Sequence, residues 1–248
     1  MMRLGLQLYT LREALANDLD GTLASIAGMG VAHVELAGTY GFPASEFRGR
    51  LDAHGLTTCG SHVSLPDLVD RLDSVVQEAQ VLGVSTLVLP WIGEEAYQNG
   101  WDALGRSLTA IGHRLHAQGL AFAYHNHAFE LAPANGETGL ERLFATADPA
   151  LVKAELDLGW IQHAGQDPAD WVRSLAGRVP LVHLKDFAAG TDPIDVPPGE
   201  GTVDWDSVLD ACNESGVEFG IVEMDHPPGD AIASVRTSVA FFRNRGLI

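Results

Sequence analysis

The sequence predicts an α/β protein that folds as a single (β/α)8 barrel over residues 1–248. Eight short apolar runs recur along the chain, and a segment with helical spacing follows each of them. Runs without polar alternation are typical of parallel strands that are covered on both faces. No linker rich in proline or serine divides the chain, and about 250 residues is the usual length of one such barrel. A doubly wound open sheet is the competing architecture, but no glycine-rich GxGxxG turn follows the first run.

The eight predicted strands are short and nearly continuous in hydrophobicity. They cover residues 4–9, 32–37, 56–63, 85–91, 120–127, 152–159, 179–187 and 218–225. A parallel strand buried by helices on both faces needs this composition. The pattern therefore indicates a closed TIM barrel of eight strands.

The intervening segments carry apolar residues at spacings of three and four, which predicts amphipathic helices. The predicted helices cover residues 18–30, 43–55, 65–83, 101–119, 139–147, 168–177, 204–216 and 229–246. Several of them end at a glycine, such as Gly83, which is a common residue for closing a helix.

Composition limits the classes of partner. The chain has 15 Lys and Arg against 33 Asp and Glu, a net charge of -18, which would repel a phosphate backbone. We therefore expect no nucleic acid partner.

Two cysteines, Cys59 and Cys212, fit a reducing compartment. We find no signal-peptide pattern and no long apolar run, so we expect a cytoplasmic protein without a membrane partner, and a homo-oligomer stays open.

Polar and aromatic side chains accumulate where the apolar runs end, which is where a (β/α)8 barrel places its chemistry. They are Gln7, Tyr9, Glu35, His62, Trp91, His125, His127, Glu130, Asp157, Trp160, His183, Lys185, Asp186, Glu223, Asp225 and His226. Several buried carboxylates are costly together unless cations or protons compensate them. Carboxylates with imidazole predict one divalent metal ion, which is Mn²⁺, Mg²⁺, Co²⁺ or Zn²⁺.

Four segments resemble the xylose isomerase-like TIM barrels, the sugar phosphate isomerase/epimerase superfamily that includes ketose 3-epimerases, inosose dehydratases and endonuclease IV. They are ELDLGW (155–160), LVHLKDF (181–187), GEGTVDW (199–205) and GIVEMD (220–225). The resemblance extends from residues 7–12 to the last helix. In that superfamily a glutamate, an aspartate, a histidine and a glutamate from successive strands hold one divalent metal ion.

The resemblance implies that the last three of these ligands are Asp157, His183 and Glu223. The first ligand departs from the epimerase pattern, because the fifth run carries His125 and His127 where the epimerases carry a glutamate. Glu130 lies just beyond, and we expect it to supply the carboxylate by reaching back from the loop. The alternative is that His125 itself binds the metal. With Glu130 as the ligand, both histidines are free to transfer protons at neutral pH.

The resemblance implies a metal-dependent isomerase or epimerase that removes the α proton of a keto-sugar or related polyhydroxy carbonyl compound through a metal-stabilised enediolate. The alternative is a lyase or dehydratase acting on a keto-sugar, keto-polyol or 3-keto-glycoside at the same kind of site. The expected catalytic residues are Glu223, His125, His127 and Glu130. The expected substrate-binding residues are His62, Trp91, Trp160, Lys185 and Tyr9.

Two other classes compete with these enzymes. A phosphatase-like or endonuclease-IV-like hydrolase would need several clustered metals and a basic groove, which the net charge and the lack of extra ligand histidines at the expected places disfavour. A catalytically silent barrel that binds a sugar or a partner is the other.

For Glu35 and Glu155 we favour a structural role. The loop 188–205 either covers the site, with Glu200 facing substrate, or is a solvated excursion.

Overall fold

The computed structural model describes residues 2–134 and 136–247 and contains a closed barrel of eight parallel strands. The barrel strands are Arg3–Gln7, His33–Leu36, Thr57–His62, Thr86–Leu89, Ala121–His125, Lys153–Asp157, Leu181–Leu184 and Phe219–Val222. Each strand pairs with its neighbours in the chain, and the eighth closes the barrel by pairing with the first. The prediction of a TIM barrel is thereby confirmed.

Twelve α-helices of the described residues lie between or after these strands. They are Arg12–Asn17, Leu19–Gly28, Ala44–Ala53, Leu65–Asp70, Leu72–Leu82, Glu94–Tyr97, Trp101–His116, Gly139–Thr146, Leu158–His163, Pro168–Ser174, Trp205–Ser215 and Ala231–Arg243. Their apolar faces join the strands in one large core cluster. None of the helices in the described ranges is both long enough and apolar enough to cross a membrane.

Most predicted strands end two or three residues early in the structure, and short helices such as Arg12–Asn17 and Glu94–Tyr97 were not predicted; two further differences have a clear local cause. The helix predicted over 65–83 is two helices, because Arg71 leaves the helical conformation with φ -128° and ψ 22°. The sixth strand was predicted to reach residue 159 but ends at Asp157, whose Oδ1 accepts a hydrogen bond from the Trp160 backbone N–H at 2.9 Å. This side chain caps the helix Leu158–His163, so Trp160 lies on a helix rather than on a strand.

The barrel interior changes from apolar to ionisable along its axis. An apolar cluster fills part of it, made of Cys59, Val88, Ala123, Leu181, Phe219 and Ile221. Alternate residues of a strand point to the same side, so His183 follows Leu181 into the interior and Glu223 follows Ile221. The register sets Asp157 beside His183. Ionisable groups of neighbouring strands are thus stacked above the apolar cluster, toward the C-terminal ends of the strands.

The loop after the seventh strand is tied down by one buried carboxylate. The short strands Asp186–Phe187 and Asp195–Val196 pair within this loop. Asp186 accepts hydrogen bonds from the backbone N–H groups of Gly199, Gly201, Thr202 and Val203 and from the indole N–H of Trp205. The loop is therefore a fixed structure, and Glu200 within it is exposed.

We expect Asp186→Ala to lower the free energy of unfolding by about 2–3 kcal/mol, because the five donors lose a buried charged acceptor. Asp192→Ala, an exposed change in the same loop, is the matched control and should alter it by less than about 0.5 kcal/mol. Urea denaturation measures both. Equal losses in the two variants would contradict the anchoring role.

Candidate active site

Ionisable side chains from six strands converge in two groups at the C-terminal end of the barrel. We call Glu35, His62, His125 and Glu155 the inner cluster, and Asp157, Lys185, Glu223 and Asp225 the outer cluster. Glu155 lies two residues before Asp157 on the sixth strand, so the inner cluster is the deeper one. His183 lies between the two clusters and belongs to two groups of potential metal ligands. In each group the ligand atoms lie within 4.8 Å of one another. The first group is His62, His125, Glu155 and His183, and the second is Asp157, His183 and Glu223.

His183 is fully buried, and its two ring nitrogens face different clusters. Nδ1 lies 3.1 Å from Glu223 Oε2 and 4.0 Å from Asp157 Oδ2. Nε2 lies 2.7 Å from Glu35 Oε2 and 3.3 Å from Glu155 Oε2. Burial alone would favour the neutral imidazole, but Glu155, Glu223 and Glu35 hold the pKa of His183 well above its ordinary value in the absence of a metal.

Lys185 provides the positive charge of the outer cluster. Its Nζ lies 2.7 Å from Glu223 Oε2, 2.7 Å from Asp225 Oδ2 and 3.2 Å from Asp157 Oδ2. Burial opposes the charge of Lys185, yet the carboxylates Asp157, Glu223 and Asp225 raise its pKa well above the ordinary value. Burial also opposes the charge of Glu223, yet Lys185 and His183 hold the pKa of Glu223 well below its ordinary value. The lysine thus pairs with Asp225 rather than with its chain neighbour Asp186.

The donor set of the outer cluster fits a divalent metal ion. Asp157 uses Oδ1 to cap a helix, whereas its buried Oδ2 accepts no hydrogen bond of good geometry among the described residues and is paired with the Lys185 ammonium at 3.2 Å. Burial raises the pKa of Asp157 to about 6 in the absence of a metal. Carboxylate oxygens with one imidazole nitrogen suit Mn²⁺, Mg²⁺, Co²⁺ or Zn²⁺. The residues that would hold the ion are Asp157, His183 and Glu223.

Glu130 belongs to neither cluster. Its Oε1 accepts a hydrogen bond from the Tyr124 hydroxyl at 2.8 Å, and its Oε2 accepts one from the His127 backbone N–H at 2.9 Å. The carboxylate is turned back onto the loop that carries it, and its role as a metal ligand stays a prediction. The alternative ligand, His125, places Nε2 3.8 Å from Asp157 Oδ2.

A variant of Glu130 separates these possibilities. Burial raises the pKa of Glu130 to about 7, above its ordinary value, so its contribution to stability is fully present below the ordinary pKa and is lost as pH rises through 7. We expect Glu130→Gln to be more stable than the unaltered protein at pH 8 by about 1–3 kcal/mol, with a smaller difference at pH 5. Urea denaturation at both values measures this, and Glu94→Gln is the exposed control. Loss of a bound metal ion from Glu130→Gln would instead support the ligand role.

An aromatic surface borders the outer cluster. The Trp160 ring lies 5.6 Å from the His127 ring and 4.7 Å from that of Phe187, and Lys185 Nζ lies 5.4 Å from its centre. His127 Nδ1 and Trp160 Nε1 are buried without hydrogen-bond partners among the described residues. Burial lowers the pKa of His127 to about 4, so the imidazole is neutral at pH 7. An aromatic face of this kind suits the C–H face of a sugar-like ligand.

The other two predicted aromatic contacts are more exposed. The Trp91 side chain is 59% exposed, and no aromatic pair of the described ranges includes it. Tyr9 is 41% exposed, and the Arg12 guanidinium lies 4.2 Å from its ring centre. Both follow barrel strands at the C-terminal end, and their role in substrate binding stays a prediction.

Glu35 and Glu155 were expected to be structural, yet the structure places both at the centre of the inner cluster with no exposed surface. His62 Nε2 lies 3.2 Å from Glu35 Oε2 and 3.1 Å from Glu155 Oε2. Burial opposes the charge of His62, but the two carboxylates raise its pKa to about 9. The one signal in the sequence was the spacing of Glu155 and Asp157 on an apolar strand. The sequence argued against a site with several metals partly because extra ligand histidines were lacking. The structure brings His62, His125 and His183 together, so that argument no longer holds.

A groove of about 460 Å³ lies outside the barrel, between the helices Gly139–Thr146 and Pro168–Ser174. Phe144 and Trp171 are among its lining residues, and no member of either cluster is. The buried ionisable groups converge at the barrel mouth instead, which makes that end the candidate active site.

The chain matches the family described as "Xylose isomerase-like TIM barrel" over residues 23–245. An inosose dehydratase of Lacticaseibacillus casei is 27% identical over an alignment of 148 residues that covers 53% of this chain and 49% of that protein. An inosose dehydratase of Clostridium beijerinckii is 24% identical over an alignment of 148 residues with the same coverage of 53% and 49%. The alignments therefore span about half the length of these curated relatives.

Solved structures share the fold over nearly the whole chain. A sugar phosphate isomerase/epimerase of Parabacteroides distasonis is 20% identical with a TM-score of 0.86, covering 98% of both chains. A structure described as the IOLI protein with a binding zinc atom is 16% identical with a TM-score of 0.73, covering 98% of this chain and 97% of that one. At these identities the likeness shows a common fold.

Proposed function

Because the chain belongs to the xylose isomerase-like TIM barrel family, we propose that it is a divalent-metal-dependent isomerase or epimerase of a keto-sugar or related polyhydroxy carbonyl compound. The observation that carries the proposal is the buried set of Asp157, His183 and Glu223, whose ligand atoms lie within 4.8 Å of one another. The neighbouring Trp160 ring, 5.6 Å from the His127 ring and 4.7 Å from that of Phe187, supports a substrate with an apolar C–H face.

The bound ion would supply Lewis-acid polarisation of the substrate carbonyl and its neighbouring hydroxyl. Trp160 positions the C–H face of the substrate beside this group. The Lys185 ammonium, already beside Glu223, stabilises negative charge that develops on a substrate oxygen. Burial on the Trp160 side keeps water from competing for the reacting carbon.

His127 is the best candidate for the base, because its imidazole is neutral at pH 7 and its ring lies beside the Trp160 face, 5.6 Å from the indole ring. It takes the α proton and leaves an enediolate. Return of this proton from the His127 imidazolium to the neighbouring carbon gives isomerisation. Epimerisation would need a second group that already carries a proton to donate it to the opposite face, while His127 keeps the first; Glu223 and His125 are the candidates, and either would have to be protonated first.

A dehydratase or lyase is the second candidate. Curated relatives of Lacticaseibacillus casei and Clostridium beijerinckii that match this chain are named inosose dehydratase. The resemblance to the superfamily adds that His125 and His127 stand where its epimerases carry a glutamate. In this reaction the same enediolate would expel a β substituent, to which an imidazolium donates the proton, instead of being protonated at carbon.

Proton NMR in D₂O tests both candidates. Metal-loaded protein is incubated with candidate ketoses and cyclic keto-polyols, and the chelator-treated protein is the control. Deuterium at the α carbon with an intact carbon skeleton supports isomerisation or epimerisation, whereas loss of water or an alcohol supports elimination. Absence of exchange and of elimination with every polyol ketone would count against both.

A further inference from the structure

We infer that Glu35 is a positioning residue for His183, because it holds the imidazole in the orientation and tautomer that present Nδ1 to the metal. The inference rests on the metal site of the proposed function but not on the reaction. Glu35 lies on the second strand and His183 on the seventh, and the first and eighth strands separate them around the barrel. The contact therefore crosses the interior.

The geometry of this contact assigns the ring nitrogens. Glu35 Oε2 lies 2.7 Å from His183 Nε2, and both side chains are fully buried. A carboxylate can only accept, and Glu223 Oε2 makes the same demand on Nδ1 at 3.1 Å, so both ring nitrogens face an acceptor in the metal-free protein. A metal ion held by Asp157 and Glu223 would replace the proton on Nδ1, and the proton that stays is then the one on Nε2, which Glu35 accepts. Carboxylates that accept from a metal-binding histidine in this way fix its tautomer and raise its basicity.

Glu35 is itself held in one position. Gln7 Nε2 donates to Glu35 Oε2 at 2.8 Å, and Gln7 Oε1 accepts the Tyr9 backbone N–H at 2.9 Å. Gly60 leaves the space that the carboxylate fills, since a Cβ at Gly60 would lie 2.6 Å from Glu35 Oε1. Gln7 at the end of the first strand and Gly60 on the third strand thus fix the Glu35 carboxylate, which orients His183.

A second metal ion in the inner cluster is the competing explanation, because His62, His125, Glu155 and His183 offer ligand atoms within 4.8 Å of one another. Such an ion would take Nε2 of His183 and break the contact with Glu35. The inner carboxylates have a partner of their own, since His62 Nε2 lies 3.2 Å from Glu35 Oε2 and 3.1 Å from Glu155 Oε2. The inner cluster is therefore hydrogen-bonded without a metal.

The test measures metal affinity and metal content of the folded protein. Glu35→Gln and Gln7→Leu are compared with Glu78→Gln, an exposed change of the same kind. We expect the Zn²⁺ dissociation constant, measured by competition with a chromophoric chelator, to rise about 10–100-fold in Glu35→Gln. It should rise less in Gln7→Leu and stay unchanged in Glu78→Gln, with one ion per chain throughout. A role in folding alone would lower the unfolding temperature and leave this constant unchanged in the folded protein.

Long-range ¹H–¹⁵N NMR of Zn²⁺-loaded, ¹⁵N-histidine-labelled protein reads the tautomer directly and needs no variant that folds poorly. We expect His183 to carry its proton on Nε2. A metal bound at Nε2, a second ion that Glu35→Gln removes, or a dissociation constant within about two-fold of the unaltered protein would overturn the inference. A chain that binds no ion would overturn both proposals, whereas bound ion without proton exchange would overturn only the function.

Discussion

Glu223→Gln is expected to lower the rate of α-proton exchange by about 10³-fold, the largest effect on activity that we predict. The substitution removes the negative charge that lies 3.1 Å from His183 Nδ1 and 2.7 Å from Lys185 Nζ. This one carboxylate would bind the metal and also pairs with Lys185, so the substitution removes both interactions. Proton NMR in D₂O, with the metal at saturation, measures the rate.

Glu218→Gln is the matched control, because Glu218 lies just before the same strand at its other end and is exposed. Its only ion pair in the described ranges is with Arg3 at 3.5 Å. We expect an unchanged exchange rate. If Glu223→Gln kept its rate within about tenfold while binding the metal, Glu223 would not be part of the reacting site.

Lys185→Met is expected to lower the free energy of unfolding of metal-free protein by about 3–5 kcal/mol, because three carboxylates lose a buried cation. The pKa of Lys185 is raised by folding, so its contribution is fully present below the ordinary lysine pKa and is lost only as pH rises through the higher folded value. The loss should therefore be complete at neutral pH. Urea denaturation in the presence of a chelator measures it.

Lys153→Met is the control for this prediction, because Lys153 is partly exposed and donates only to the carbonyl of Pro149, at 2.9 Å, among the described residues. We expect a change below about 0.5 kcal/mol. Added metal should offset part of the loss in Lys185→Met, since the ion would neutralise Asp157 and Glu223. Equal losses in the two lysine variants would show that the buried ion pairs do not stabilise the fold.

The elements of the barrel were predictable because their signals are local. The run over residues 85–91 contains the strand Thr86–Leu89, and the helix predicted over 101–119 is Trp101–His116. One error arose where a side chain overrides the local pattern. Asp157 ends an apolar run by capping a helix, and no periodicity distinguishes that run from a longer strand.

The sequence by itself determined the eight alternations of strand and helix, because hydrophobic periodicity is a property of neighbouring residues. Its motifs also singled out Asp157, His183 and Glu223. Only the tertiary structure decided that Glu35 meets His183, 148 residues away, and that Glu130 turns back to Tyr124. Closure of the barrel brings side chains of non-adjacent strands into one small interior, where burial and charge rather than spacing select their partners.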